Sequence, residues 1–115
     1  MPDSDNVISE RQRINDGLLL RVHGDIDYSR SPSLRAQILE VLNQGPSRLI
    51  IDLTSVDYMD SSGVATLVEA LQAQRKARRK LVLCNLQPKV KGIFEISKLD
   101  TVFTIAESEE AAATA

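Results

Sequence analysis

Apolar positions along the chain come in short blocks that follow two different periods. "VISERQRI" predicts a short edge strand from Val7 to Ile14, "NDG" a tight turn, and "LLLRVHG" a buried run from Leu18 to Val22 closed by Gly24. The first quarter therefore reads as a hairpin. "SRSPSLRAQILEVLNQG" changes the period: Leu34, Ile38, Leu39, Val41 and Leu42 fall mostly on one helical face. Ser31 is placed to cap this helix, and Pro32 suits its first position, where no N–H is needed. Gly45 and Pro46 end it. "RLIIDL", Arg48 to Leu53, predicts a buried strand. A second helix starts near Ser61 and runs to about Ala77, with Val64, Leu67, Val68 and Leu71 spaced to form its core face. "KLVLCNL" predicts a strand over 80–85, and Pro88 opens a third helix carrying Val90, Ile93, Phe94 and Ile96. "VFTIA" reads as a last short strand. "SEEAAATA" fits either a capped helix or a disordered tail.

Strands and helices thus alternate after the opening hairpin. That order implies βαβ units with right-handed crossovers. The expected fold is a single α/β domain, with a mixed sheet of four or five strands and three to four helices. Residues 1–6 are polar and expected to be flexible. The domain is expected over 7–106, with 107–115 as the helix or tail.

Composition narrows the function more than the fold. A chain of 115 residues fits one domain, and at this size roughly 60–70% of the unfolded surface can be buried. Apolar residues make up 43% and charged residues 26%, so the chain reads as soluble and globular. The net charge of −2 argues against nucleic acid or an anionic membrane as partner. Two Tyr and two Phe leave few surfaces for base stacking. No apolar run approaches the ~18 residues of a membrane span. The N-terminal residues have neither the basic start nor the apolar core of a secretory signal. A single cysteine, Cys84, excludes an internal disulfide and reads as a buried small residue within "LVLCNL". A cytoplasmic location is expected. The basic run Arg75 to Lys80 reads as a solvated helix end whose cations complement the helix dipole.

In parallel α/β folds, sites lie beyond the carboxyl ends of the strands. Two loops qualify: "HGDIDYSRS" and "TSVDYMDSSG". They gather Asp25, Asp27, Asp57, Asp60, Ser61 and Ser62. Asp60 or Ser61 can cap the second helix. Gly63 removes side-chain bulk where the chain turns into it. A helix N-terminus also tolerates phosphate, because free N–H groups and the macrodipole favour negative charge.

"IIDLTSVDYMDSSGVATLVEAL" resembles the signature segment of STAS domains, in particular the bacterial anti-sigma-factor antagonists. "HGDIDYSRSPSLR" is similar to the Gly-acid-apolar-Asp segment of the same family, and the resemblance runs over about 7–106. It implies binding to a sigma-inhibiting serine kinase of the GHKL ATPase type, with no cofactor. Phosphorylation falls on the Ser after the turn's Asp, which is Ser61, and prevents productive kinase binding. A metal-dependent phosphatase restores the free form. Asp27 and Asp60 match the family's two acids, with Asp25 beside the first. Ser62 matches a position that varies among Ser, Thr and Ala. Arg30 is a departure, since many members carry a small residue there. As a cation near the switch it is a candidate partner for a phosphate on Ser61 or for an acid on another protein. A homodimer is compatible with the resemblance. So is a STAS subunit of another signalling or transport complex that works without phosphorylation.

Enzymatic readings lack parts. "DIDYS" resembles the opening of phosphotransferases that use Asp25 and Asp27, but those need further acids, a Lys and more chain. A serine hydrolase needs a base in reach, His23 is the single histidine, and G-x-S-x-G is missing. One Cys and one His do not make a zinc site. A receiver domain would carry its acceptor at a strand end, where Asp52 stands, with an acidic pair from an earlier strand.

Overall fold

The computed structural model describes residues 7–115; the expectation for residues 1–6 falls outside the described residues. The elements run β1 (Ile8–Ile14), β2 (Gly17–His23), α1 (Ser31–Leu42), β3 (Arg48–Ser55), α2 (Ser61–Lys76), β4 (Lys80–Cys84), α3 (Pro88–Ile96), β5 (Thr104–Ala106) and α4 (Glu109–Ala112). A 3-10 turn over Leu99–Thr101 precedes β5. The five strands lie in sequence order in one sheet. β1 is antiparallel to β2, and the other pairings are parallel.

The centre of the sheet explains the continuous apolar runs. β3 is hydrogen-bonded on both sides and covered on both faces, so its residues 48–53 are all buried. Leu49, Ile51 and Leu53 point to the main core, together with Leu20, Leu34, Ile38, Leu67, Leu71, Val90 and Phe94. Ile50 points the other way, into a small cluster of Leu19, Val82, Cys84 and Ala112 beneath α4. The "SEEAAATA" segment therefore contains a helix, with Ser108 as its cap through the Ala111 N–H at 2.9 Å. Glu109 fastens α4 to β2 by two bonds from the Arg21 guanidinium, at 2.8 and 2.7 Å.

Two local expectations need correction. Ser31 does not cap α1 but is its first residue; Arg30 sits at the cap position, makes no side-chain cap bond, and leaves Pro32 one place further in. Val64 and Val68 lie at the half-buried margin of α2 rather than at its centre. The inward face of that helix is Gly63, Thr66, Leu67, Ala70, Leu71 and Gln74. Gly63 lets its first turn sit against Ile26 and Met59. Gln74 is tolerated inside because its amide donates to Pro46 O (3.1 Å) and Lys80 O (2.7 Å). Ile96 is 87% exposed. Val90 and Phe94 define the inward stripe of α3, and two residues past Phe94 is the opposite side of a helix.

Candidate functional site

The two polar loops leave the carboxyl ends of β2 and β3, which are parallel neighbours. Beyond the strands they stay joined. An isolated parallel bridge pairs Ile26 with Met59. Ile26 N–H donates to Tyr58 O (2.9 Å), and Asp60 N–H donates to Ile26 O (3.0 Å). Ile26 and Met59 are buried, so their side chains anchor the bridge in the core. The loops thus form one platform.

On that platform each chain makes the same turn into a helix. Asp27 Oδ1 accepts from Ser29 N (3.0 Å), Ser29 Oγ (2.6 Å) and Arg30 N (3.1 Å). Asp60 Oδ1 accepts from Ser62 N (2.9 Å), Ser62 Oγ (2.6 Å) and Gly63 N (3.3 Å). Both are Asp-x-Ser turns in which the carboxylate satisfies N–H groups that a helix start leaves open. Asp60 also reaches across, since its Oδ2 accepts the Tyr28 N–H at 3.0 Å. One carboxylate therefore caps α2 and ties the first loop to the second.

These bonds set the charge. The Ser62 hydroxyl, joined by the Gly63, Ser62 and Tyr28 N–H groups, holds the Asp60 carboxyl below its ordinary range. The Ser29 hydroxyl and the Arg30 and Ser29 N–H groups do the same for Asp27, against opposition from the nearby Asp60 charge. Both are ionised at neutral pH. Asp25 and Asp57 are exposed, and neither carboxylate has a partner among the described residues.

Of the residues singled out from sequence, Asp25, Asp27, Asp60, Ser61, Ser62 and Gly63 all lie on this platform. Ser61 is exposed, and its hydroxyl has no hydrogen-bond partner among the described residues. Ser62 is half-buried and committed to Asp60. Gly63 is buried; a Cβ there would lie 2.7 Å from Ile26 Cγ2 and 2.7 Å from Met59 Cγ. Arg30 turns inward along its own loop. Its Nη1 donates to Asp25 O (2.6 Å) and His23 O (3.1 Å). Gly24 makes room for it, with φ +83 and the guanidinium packed where a side chain would start.

Sequence reasoning passed over two platform residues, Tyr28 and Tyr58. They are 78% and 49% exposed, and they are both tyrosines of the chain. The available signal was the repeated Asp-x-Ser pattern, which places Tyr28 in the first turn where Ser61 stands in the second. Clefts of about 350 and 340 Å³ lie elsewhere, one by Asn15, Gly45 and Pro46, the other by Asn85, Lys91 and Glu107. Neither is lined by Asp27, Asp60 or Ser61. Among the described residues no group of three His, Cys, Asp or Glu side chains is placed to hold a metal. No helix of the described residues is long and apolar enough to cross a membrane. Cys84 is buried, and burial, with the Asp52 and Glu109 charges, pushes its thiol up to about 12.

An α/β domain whose parallel strands end in an acidic, serine-bearing platform is the arrangement of a STAS domain. Residues 7–112 match the STAS domain family model, and the chain belongs to that family. It is 34% identical over 101 residues to BtrV of Bordetella bronchiseptica, covering 87% of each chain. It is 33% identical over 103 residues to the anti-sigma-B factor antagonist of Listeria monocytogenes, covering 89% of this chain and 90% of that one. In fold it is similar to the Bacillus cell fate determinant SpoIIAA in its phosphorylated form. The TM-score is 0.70 at 23% identity, over 91% of this chain and 96% of that one.

Proposed function

We propose that this protein is an anti-sigma-factor antagonist. In the unmodified state it binds a sigma-inhibiting serine kinase of the GHKL type and so releases the sigma factor. Phosphorylation of Ser61 switches it off, and a metal-dependent phosphatase resets it. The protein is a substrate and a switch, not a catalyst.

The observation that carries this reading is the contrast between the two serines after Asp60. Ser62 is locked on the carboxylate, whereas Ser61 is exposed and its hydroxyl has no partner among the described residues. The first residue of a 16-residue helix also accepts negative charge without losing the helix. A phosphate there adds about −1.5 to −2 charge. It adds to the charge of the ionised Asp27 and Asp60. Repulsion and bulk then break the contact while the fold persists. Arg30 supports this reading as a brace that fixes the loop, since its guanidinium is engaged with two carbonyls.

The test is labelling with the kinase and ATP followed by peptide mass spectrometry. Phosphate is expected on Ser61; phosphate on Ser62 alone would reverse the assignment. In calorimetric titration, Ser61→Ala is expected to bind the kinase like wild type. Ser61→Asp is expected to bind at least tenfold more weakly, a difference of about 1.4 kcal/mol, with an unchanged thermal melt. Tight binding by Ser61→Asp would show that charge at this position is not the switch.

A further inference from the structure

The bridge that joins the two loops fixes more than their spacing. Ile26 is the register partner of Met59. Asp27 and Asp60 follow directly on this pair, and there both chains turn toward their helices. Across the gap, the Tyr28 N–H donates to Asp60 Oδ2 at 3.0 Å. Tyr28 is therefore tied to the carboxylate of the residue that precedes Ser61 at the platform's tip. Its backbone is fixed by Asp60 and by the Asp27 turn, yet 78% of the residue is open to solvent. A rigidly mounted, exposed aromatic ring loses little conformational entropy on binding. This is why tyrosine is over-represented among residues that dominate interface energies.

We propose that Tyr28 is a specificity-determining contact of the switch, the ring against which the kinase seats when it reaches Ser61. This rests on the antagonist reading above and adds to it the residue that selects the partner. The complementary surface is an apolar slot for the Tyr28 ring with cations on its flank. Those cations face the Asp25 and Asp57 carboxylates, which are exposed and have no partner among the described residues. Arg30 does not neutralise them, because it is bound to backbone carbonyls. A phosphate on Ser61 would then act partly by holding the partner off the Tyr28 ring.

The experiment uses the full chain and the serine kinase that labels it with ATP, titrated with ADP present so that no transfer occurs. Tyr28→Ala is expected to weaken binding by about 30-fold, the conventional hot-spot threshold of about 2 kcal/mol. Tyr28→Phe should stay within about threefold of wild type, because the ring and not the hydroxyl fills the slot. Ile96→Ala, a truncation at an exposed site on α3, should change nothing. Raising salt should weaken wild type and Tyr28→Ala in parallel, since the acids act separately from the ring. All melts should match wild type. If Tyr28→Ala binds like wild type while Ser61→Asp does not, the role of Tyr28 is overturned and the switch stands. If Tyr28→Ala melts early, its effect runs through the fold and the proposal fails. If wild type itself binds no kinase, both readings fall.

Discussion

The two Asp-x-Ser turns share a hydrogen-bond pattern and differ in where they sit. Asp27 and Asp60 each bind a following hydroxyl at 2.6 Å and two backbone N–H groups. The first turn is followed by Arg30, half-buried at the rim, and the second by Gly63, buried against Ile26 and Met59. The first is thus a loop braced from outside, and the second is part of the core. A switch needs both properties. The residue that receives the charge must be open, while the element carrying it must not move. Ser61 meets the first condition and the Asp60–Gly63 turn meets the second.

Replacing Gly63 should break this comparison most strongly. A methyl there meets Ile26 Cγ2 and Met59 Cγ at 2.7 Å and the Ile26 carbonyl at 3.1 Å. Both side chains are buried and cannot swing into solvent. Gly63→Ala should therefore cost about 1–3 kcal/mol by overpacking, read as a lower denaturation midpoint. Gly63→Val should cost more. Arg30→Ala, the matching change in the first turn, removes two bonds at the rim and should cost less than Gly63→Ala. Equal losses would show that the second turn is not packed into the core.

The next contrast is between the two aspartates. Asp60 serves α2 and also holds Tyr28, whereas Asp27 serves only its own turn and the α1 start. Asp60→Ala should lower the denaturation midpoint more than Asp27→Ala, because only Asp60 caps its helix and also joins the two loops. Amide hydrogen exchange provides the sharper reading. Asp60→Ala should release the Tyr28 N–H as well as those of Ser62 and Gly63, while Asp27→Ala should leave the α2 start protected.

This asymmetry marks how far the sequence could be read. Element order and the parallel sheet were legible because "RLIIDL" and "KLVLC" are continuous apolar runs, as doubly covered strands must be. The start of α2 was legible because Asp-Ser-Ser-Gly is a capping pattern with a physical reason. The rotation of α2 was not. Period alone places Val64 and Val68 on the inner face as readily as Gly63, Ala70 and Gln74, and the seat of Gly63 against Ile26 and Met59 decides it. Ser31 misled for a similar reason: a serine before a proline satisfies the cap rule, but the Ser33 and Leu34 N–H groups that it would cap already bond to Arg30 O, so the helix starts a residue earlier. The prominence of Tyr28 was hidden because it depends on a bridge between residues 26 and 59, and no local pattern reports a contact that distant.

The smallest expected effect is one of pH, and its sign follows from the hydrogen bonds. Ser62 and the adjoining N–H groups lower the Asp60 carboxyl, and Ser29 and its neighbours lower Asp27, so both protonate less readily folded than unfolded. Between the ordinary carboxylate value, near 3.9 for Asp, and the lower folded value, the unfolded chain binds more protons than the folded one. Stability contributed by these two groups is therefore complete above the ordinary value and is lost as pH falls through the folded one. Asp27 is further opposed by the Asp60 charge. Removing that charge in Asp60→Asn should let Asp27 titrate at still lower pH. Chemical denaturation at a series of pH values checks the first point: wild type should lose stability on acidification more steeply than Asp60→Asn. Carboxyl-carbon NMR titration of Asp27 in both proteins checks the second. An Asp27 midpoint that stays put, or rises, in Asp60→Asn would mean that the two carboxylates do not sense each other. The platform would then be two separate turns.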